Sequence, residues 1–150
     1  MRAVIQRVSK ASVEVDAKKV GSIEKGMLIL LGVTHEDTKE DALWLIRKIS
    51  RLRIFNDAED QMNLSLLDIQ GEALIVSQFT LYASTKKGNR PSFVQSAKPS
   101  QALPLYEFFI KEFEKETNLL IKTGIFGAHM NVEFTNDGPV TLIIDTKNKE

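Results

Sequence analysis

The sequence of 150 residues contains no cysteine, two histidines, one tryptophan and four prolines, and its 20 Lys+Arg balance its 20 Asp+Glu. Each shortage removes a class of protein. Without cysteine there is no disulfide scaffold, no Cys-ligated zinc, no iron–sulfur cluster and no thiol nucleophile. The two histidines, His35 and His129, lack the His-x-x-x-His spacing of a helical zinc site, so no metal is indicated. A formal charge of zero argues against the wholesale basic footprint of a histone-like protein and leaves nucleic acid only to local basic patches. The longest apolar run, Met27 to Val33, is far short of the ~20 residues that span a bilayer. Met1-Arg2 leads straight into a strand-like pattern, so no membrane partner and a cytoplasmic location are expected. The glycines form no Gly-x-Gly-x-x-Gly or Walker-type loop, which removes the usual cradle for a nucleotide cofactor.

What is present is an ordinary globular composition, 43% hydrophobic and 27% charged. A chain of this length buries roughly 68–70% of its unfolded surface, enough for one core without staples. No linker, repeat or low-complexity run divides it, so one domain over 1–146 is expected, with a charged tail, 147–150, that frays.

The first third reads as short antiparallel strands: Ala3 to Val8, Ser12 to Val15 with period-two alternation, and Val20 to Ile23. Met27 to Val33 is continuously apolar and predicts a strand covered on both faces. Thr38 and Asp41 form a capping pattern ahead of Ala42, Leu45, Ile46 and Ile49 at helical spacing. A short strand, Leu52 to Phe55, ends at the Asn56-Asp57 turn, with a loop through Asn63. Glu72 to Leu81 is the next strand, and it changes from apolar to mixed halfway along, as the end of a buried strand does at a site. A second helix is expected from Ser100 to Glu116, burying Ala102, Tyr106, Phe109, Ile110 and Phe113. Strands Leu119 to Thr123, Asn131 to Thr135 and Val140 to Asp145 follow. The fold class is mixed α/β: a single domain of mostly antiparallel or mixed sheet with two main helices packed on one side.

Side chains for a serine-type relay exist, Ser77 or Thr80 with His35 or His129, but composition alone does not assemble them. Lys86, Lys87 and Arg90 cluster in one turn, and Arg47, Lys48, Arg51 and Arg53 fall within seven residues with no acid between them; each group is a solvated surface or a phosphate contact. Asn136-Asp137-Gly138-Pro139 is either a hairpin turn between two strands or, with a cis Gly-Pro bond, a rigid edge of backbone carbonyls.

Two segments carry a specific resemblance. Ser77-Gln78-Phe79-Thr80-Leu81 and Asn136-Asp137-Gly138-Pro139-Val140-Thr141 are similar to the signature motifs of the D-aminoacyl-tRNA deacylases, also called D-tyrosyl-tRNA deacylases. The segments around Arg7, Asn63, Gly88 to Phe93 and Gly124 to Met130 resemble the same family in the same order, so the likeness covers essentially the whole chain. The resemblance implies a homodimer that hydrolyses the ester between a D-amino acid, or glycine, and the 3′-terminal adenosine of tRNA, as chiral proofreading without a cofactor. It implies that Ser77, Gln78, Phe79 and Thr80 are the catalytic group, with Ser77, Gln78 and Phe79 in the ester and adenosine pocket and the backbone amides near Phe79 and Thr80 as oxyanion or carboxyl-side donors. It also implies that Gly138 and Pro139, supported by Arg7 and Asn136, reach into the partner's pocket and exclude L side chains. Lys86, Lys87, Arg90 and Phe93 are the expected tRNA contacts. Family members carry a second arginine where this chain has Asn89, and an acidic or polar residue where it has His129. Two other readings use the same residues: a tRNA 3′-end binding module without catalysis, and a structural homodimer whose Gly-Pro turn only swaps across an interface.

Overall fold

The computed structural model of the chain describes residues 1–149. The first strand, β1 (Arg2–Val15), is the organising element, because three others pair with it. It runs antiparallel to β2 (Lys18–Ile23) through its second half, to β3 (Gly26–Gly32) through its first half, and to the last strand, β8 (Asn131–Asp145), along most of its length. The expected break after Val8 is absent. Ser9 and Lys10, which interrupt the apolar alternation, are exposed within one continuous strand whose register against β8 shifts on either side of Val8.

β3 then pairs in parallel with β6 (Glu72–Ser77), and β6 in parallel with β7 (Ile121–Thr123), giving one mixed sheet in the order β2-β1-β3-β6-β7 with β8 on the free side of β1. The sheet is nearly closed. β2 curls back toward β7 so closely that a Cβ on Gly21 would stand 2.8 Å from the Thr123 carbonyl, an approach open only to glycine. A separate two-stranded ribbon, β4 (Phe55–Asn56) with β5 (Met62–Leu64), replaces the expected strand 52–55 and part of the expected loop. Its turn is held by Asp57, whose carboxylate accepts from the amides of Glu59 and Gln61 and from Asn63 Nδ2.

Helices α1 (Lys39–Ser50) and α2 (Pro99–Thr117) pack side by side over one face of the sheet, as expected. The capping pattern forms: Asp41 Oδ2 accepts from Thr38 N at 2.9 Å and from Thr38 Oγ1 at 3.1 Å. Leu45, Ile46 and Ile49 of α1 and Phe109 and Phe113 of α2 meet Ile5, Met27, Ile29 and Ile75 of the sheet, while Val8, Val13, Leu28, Leu74 and Val76 fill the concave side. β3 is therefore covered on both faces, as its unbroken apolar run predicts. Each large side chain so buried contributes about 1.5–3 kcal/mol.

Two further expectations need correction. The turn at residues 136–139 does not separate two strands, because β8 continues through it with both halves against β1. Val8 faces Asn136 and Gln6 faces Thr141, so residues 137–140 bulge out opposite Arg7 alone. The charged tail is also engaged as far as it is described, Glu150 lying outside the described residues. Lys147 Nζ donates to Asp41 Oδ2 and to the Glu36 carbonyl, both at 3.0 Å, and the Lys149 ammonium lies 4.6 Å from the centre of the Trp44 ring. Among the described residues, no helix is long and apolar enough to cross a membrane.

Candidate functional site

The site grows from the end of β6. The strand is buried through Val76, and Ser77 is its last paired residue, opposite Leu31. Gln78 N–H donates to the Leu31 carbonyl at 2.8 Å; the chain then leaves the sheet (φ −142°, ψ 79°) into a single 3₁₀ turn, Phe79–Tyr82, where a longer strand was expected. Leu81 and Tyr82 pack onto Gly32, which has no side chain to keep them off. The excursion leaves Phe79 57% exposed at the carboxyl end of a parallel strand, the side of an α/β sheet where ligands collect.

Beside this turn lies a cavity of about 410 Å³. Leu31 from β3 and Val33 just beyond it, Ser77 at the end of β6 with Gln78 and Phe79 after it, Ala102 and Tyr106 from α2, and Phe126 and Gly127 from the β7–β8 connection line it. Phe93 and residues 96–99 complete the lining. Phe93 meets Phe79 edge to face, ring centroids 5.0 Å apart. The segment carrying Phe93 is tied to the residues that follow β3: Ala97 N donates to the Val33 carbonyl at 2.9 Å, Thr34 Oγ1 to Gln95 O at 2.6 Å, and His35 Nε2 to Val94 O at 2.8 Å. His35 is thus an anchor for that segment, and His129 is exposed; neither lines the cavity. Tyr106 donates its hydroxyl to the Ile75 carbonyl at 2.9 Å, and burial pushes the phenol well above its ordinary range, so it stays protonated.

The four residues expected to act together divide. Ser77, Gln78 and Phe79 line the cavity, whereas Thr80 does not; its hydroxyl accepts from the Gln78 side-chain amide. Among the described residues no histidine, carboxylate or lysine is hydrogen-bonded to it, so no base is in place to take its proton. Phe93 joins the cavity, while Lys86, Lys87 and Arg90 stand exposed in a loop pinched by the mutual amide–carbonyl bonds of Ser84 and Ser92 at 2.8 and 2.9 Å. The cavity residues that sequence reasoning missed, among them Tyr106, Phe126 and Lys98, sit on a helix face or in loops, and only their fold brings them together.

The second group forms a separate unit. Arg7 is buried on β1, and its guanidinium donates to the carbonyls of Asp137 (2.9 Å) and Ile54 (2.8 Å) and to Asn56 Oδ1 (3.0 Å). A surface cation on an edge strand is therefore excluded: β1 is central and the side chain is inside. Asn136 Oδ1 accepts from Val140 N at 2.8 Å and closes the bulge, and Asn136 Nδ2 donates to Gln6 Oε1 and, at 3.0 Å, to Thr141 Oγ1. Gly138 has φ +135°, a conformation L side chains rarely adopt, and the bond to Pro139 is cis. Gly138 and Pro139 are exposed, and none of Arg7, Asn136, Gly138 and Pro139 lines the chain's own cavity.

Fold and site together define a small α/β protein with a ligand-sized, largely apolar pocket at the end of a parallel strand, and with no histidine in that pocket. A family model described as D-Tyr-tRNA(Tyr) deacylase matches residues 4–145. Proteins named D-aminoacyl-tRNA deacylase from Cytophaga hutchinsonii and Flavobacterium johnsoniae are 61% and 55% identical to it over 150 residues, 100% of each chain. The chain belongs to the D-Tyr-tRNA(Tyr) deacylase family. Among solved structures, the c-Myc DNA unwinding element binding protein superposes with a TM-score of 0.92 at 41% identity, covering 97% of this chain and 98% of that one. A probable eukaryotic D-amino acid tRNA deacylase, 18% identical, shares the fold with a TM-score of 0.83 over 95% of this chain and 97% of its own.

Proposed function

We propose that this protein hydrolyses the ester bond of D-aminoacyl-tRNA, and of glycine mischarged on tRNA-Ala, releasing the amino acid and reusable tRNA in the cytoplasm. The observation that carries the reading is the cavity onto which Ser77, Gln78 and Phe79 open, together with membership of the deacylase family. Phe79 and Phe93 offer ring surface to the terminal adenine. Phe79 and Thr80 head the 3₁₀ turn, so their amides have no acceptor within it and can donate to the oxyanion as water attacks the ester carbon. An aminoacyl ester is already reactive, and its own vicinal 2′-hydroxyl assists the water, so the protein's task is positioning and needs no hydroxyl nucleophile.

Discrimination falls to the bulge at residues 137–140. It projects from the chain, is gripped from behind by Arg7 and is absent from the chain's own pocket, which fits insertion into the pocket of a second copy. Ile143, 71% exposed, and Phe134, 39% exposed, lie on the same strand and leave apolar surface for that copy to cover. Backbone atoms of Gly138 and Pro139 then occupy the volume an L side chain needs, whatever its chemistry, while a hydrogen fits. Lys86, Lys87 and Arg90 contact phosphates farther along the tRNA acceptor.

The test is release of amino acid from matched D- and L-aminoacyl-tRNA. Rapid loss of the D ester with the L ester spared is expected. Retained tRNA binding with no turnover of either ester would make the protein a 3′-end binding module instead.

A further inference from the structure

Among the described residues that line the 410 Å³ cavity, Lys98 alone carries a charged side chain. It is the N-cap residue of α2, and its carbonyl accepts from the amides of Gln101 and Ala102, both at 2.9 Å, so the backbone that presents it is fixed while the side chain is exposed. The first turn of α2 holds no acidic residue, and Lys98 takes part in none of the ion pairs among the described residues. An ammonium unneutralised by protein, at the edge of an apolar pocket, selects for an anion on whatever enters. Most of the reacting end of an aminoacyl-RNA lacks negative charge: the base, the ribose, the ester and a cationic α-amine. Its one anion is the phosphodiester that joins the terminal nucleoside to the rest of the chain. Lys86, Lys87 and Arg90 lie outside the cavity lining.

Resting on the deacylase reading above, we infer that Lys98 binds this last phosphodiester and so registers the ester against Ser77, Gln78 and Phe79. The same charge repels the substrate's α-ammonium and helps sort the two ends of the ligand along the cavity. Lys98 thereby separates an RNA-borne ester from the same ester on a free nucleoside.

The experiment compares two substrates, D-aminoacyl-tRNA and the D-aminoacyl ester of free adenosine, with wild type and the variants Lys98→Gln, Lys98→Glu and Lys98→Arg. A single charge-assisted contact at an exposed position predicts that Lys98→Gln raises KM for the tRNA ester about threefold to tenfold. The ratio of kcat/KM on tRNA to that on the nucleoside ester falls by the same factor; Lys98→Glu lowers it further and Lys98→Arg restores it. The slope of log KM against log salt concentration falls by about 0.7 in Lys98→Gln. Equal losses on both substrates, or a ratio and salt slope that do not change, overturn the inference while leaving the deacylase standing. A wild-type protein that cleaves neither ester overturns the deacylase reading and this inference with it.

Discussion

Replacing Arg7 with alanine should cost about 3 kcal/mol of folding free energy and most of the discrimination between D and L esters. Arg7 is 7% exposed, and its guanidinium donates three hydrogen bonds of 2.8–3.0 Å, to the carbonyls of Asp137 and Ile54 and to the side chain of Asn56. Hydrogen bonds to a charged donor contribute about 1.5–3 kcal/mol each when their partner cannot turn to water. The Ile54 acceptor is buried and carries that full weight. Asp137 and Asn56 belong to exposed residues and become hydrated once the guanidinium is gone, so they count for much less. The Asp137 carboxylate, 3.3 Å from Nε and 49% exposed, adds little. With a urea m-value of about 2 kcal/mol/M, the unfolding midpoint drops by about 1.5 M. The same deletion releases residues 137–140, so the ratio of kcat/KM for D over L esters should fall at least about tenfold, some 1.4 kcal/mol of differential transition-state binding. Arg7→Lys keeps the charge without the fork and should recover less than half of either loss. A midpoint shift below about 0.3 M, or an unchanged D/L ratio in a folded Arg7→Ala protein, would refute the reasoning.

Thr80→Val should lower kcat no more than about threefold, because the hydroxyl it removes is held by Gln78 and has no base hydrogen-bonded to it among the described residues; a thousandfold loss would give that hydroxyl a nucleophilic role. Phe79→Ala should raise KM for D-aminoacyl-tRNA roughly tenfold, since base–aromatic stacking contributes about 1–3 kcal/mol, and an unaltered KM would remove Phe79 from the adenine contact. Asp41 links pH to stability. Its partial burial resists ionisation, but hydrogen bonds from Lys147, Thr38 and Thr146 outweigh it and bring the carboxyl from its ordinary 3.8 down to about 2. Because the folded value lies below the unfolded one, the stabilisation is fully present above about pH 4 and is lost as pH falls toward 2. Asp41→Asn should cost about 1 kcal/mol at neutral pH, solvent screening allowed for, and flatten the stability curve between pH 4 and 2. A variant curve as steep there as the wild type would contradict this.

Features governed by neighbours in sequence were legible before the structure. β3 is unbroken apolar chain and lies covered on both faces; Thr38 and Asp41 cap α1 as their spacing indicates; the polar end of β6 opens on a cavity. Features governed by distant partners were not. Local pattern leaves Gly138 and Pro139 open between a hairpin turn and a rigid carbonyl edge, because the bulge they form is set by Arg7, about 130 residues away in sequence. Ser9 and Lys10 read as a break because two exposed residues in succession violate the alternation, and only pairing of β1 with β8 explains why the strand continues. Phe79 and Phe93 could be picked out from their motifs. Lys98, Tyr106 and Phe126 could not, because helix packing and loop ties, not local pattern, deliver them to the same cavity.

The most direct test of the proposed two-chain site uses mixed dimers purified through two different tags. One chain carries Ala102→Phe, which fills its own cavity, and the other carries Gly138→Ala, whose added Cβ would stand 3.0 Å from Arg7 Nη2 and 2.8 Å from Val140 Cγ2 in a backbone conformation alanine resists. Such a dimer has one open pocket, in the Gly138→Ala chain. If the chiral wall comes from the partner, that pocket faces an intact Gly138 and still spares L-aminoacyl-tRNA while cleaving the D ester. If the open pocket instead cleaves both esters, as the Gly138→Ala homodimer should, the wall belongs to the same chain and the account is wrong.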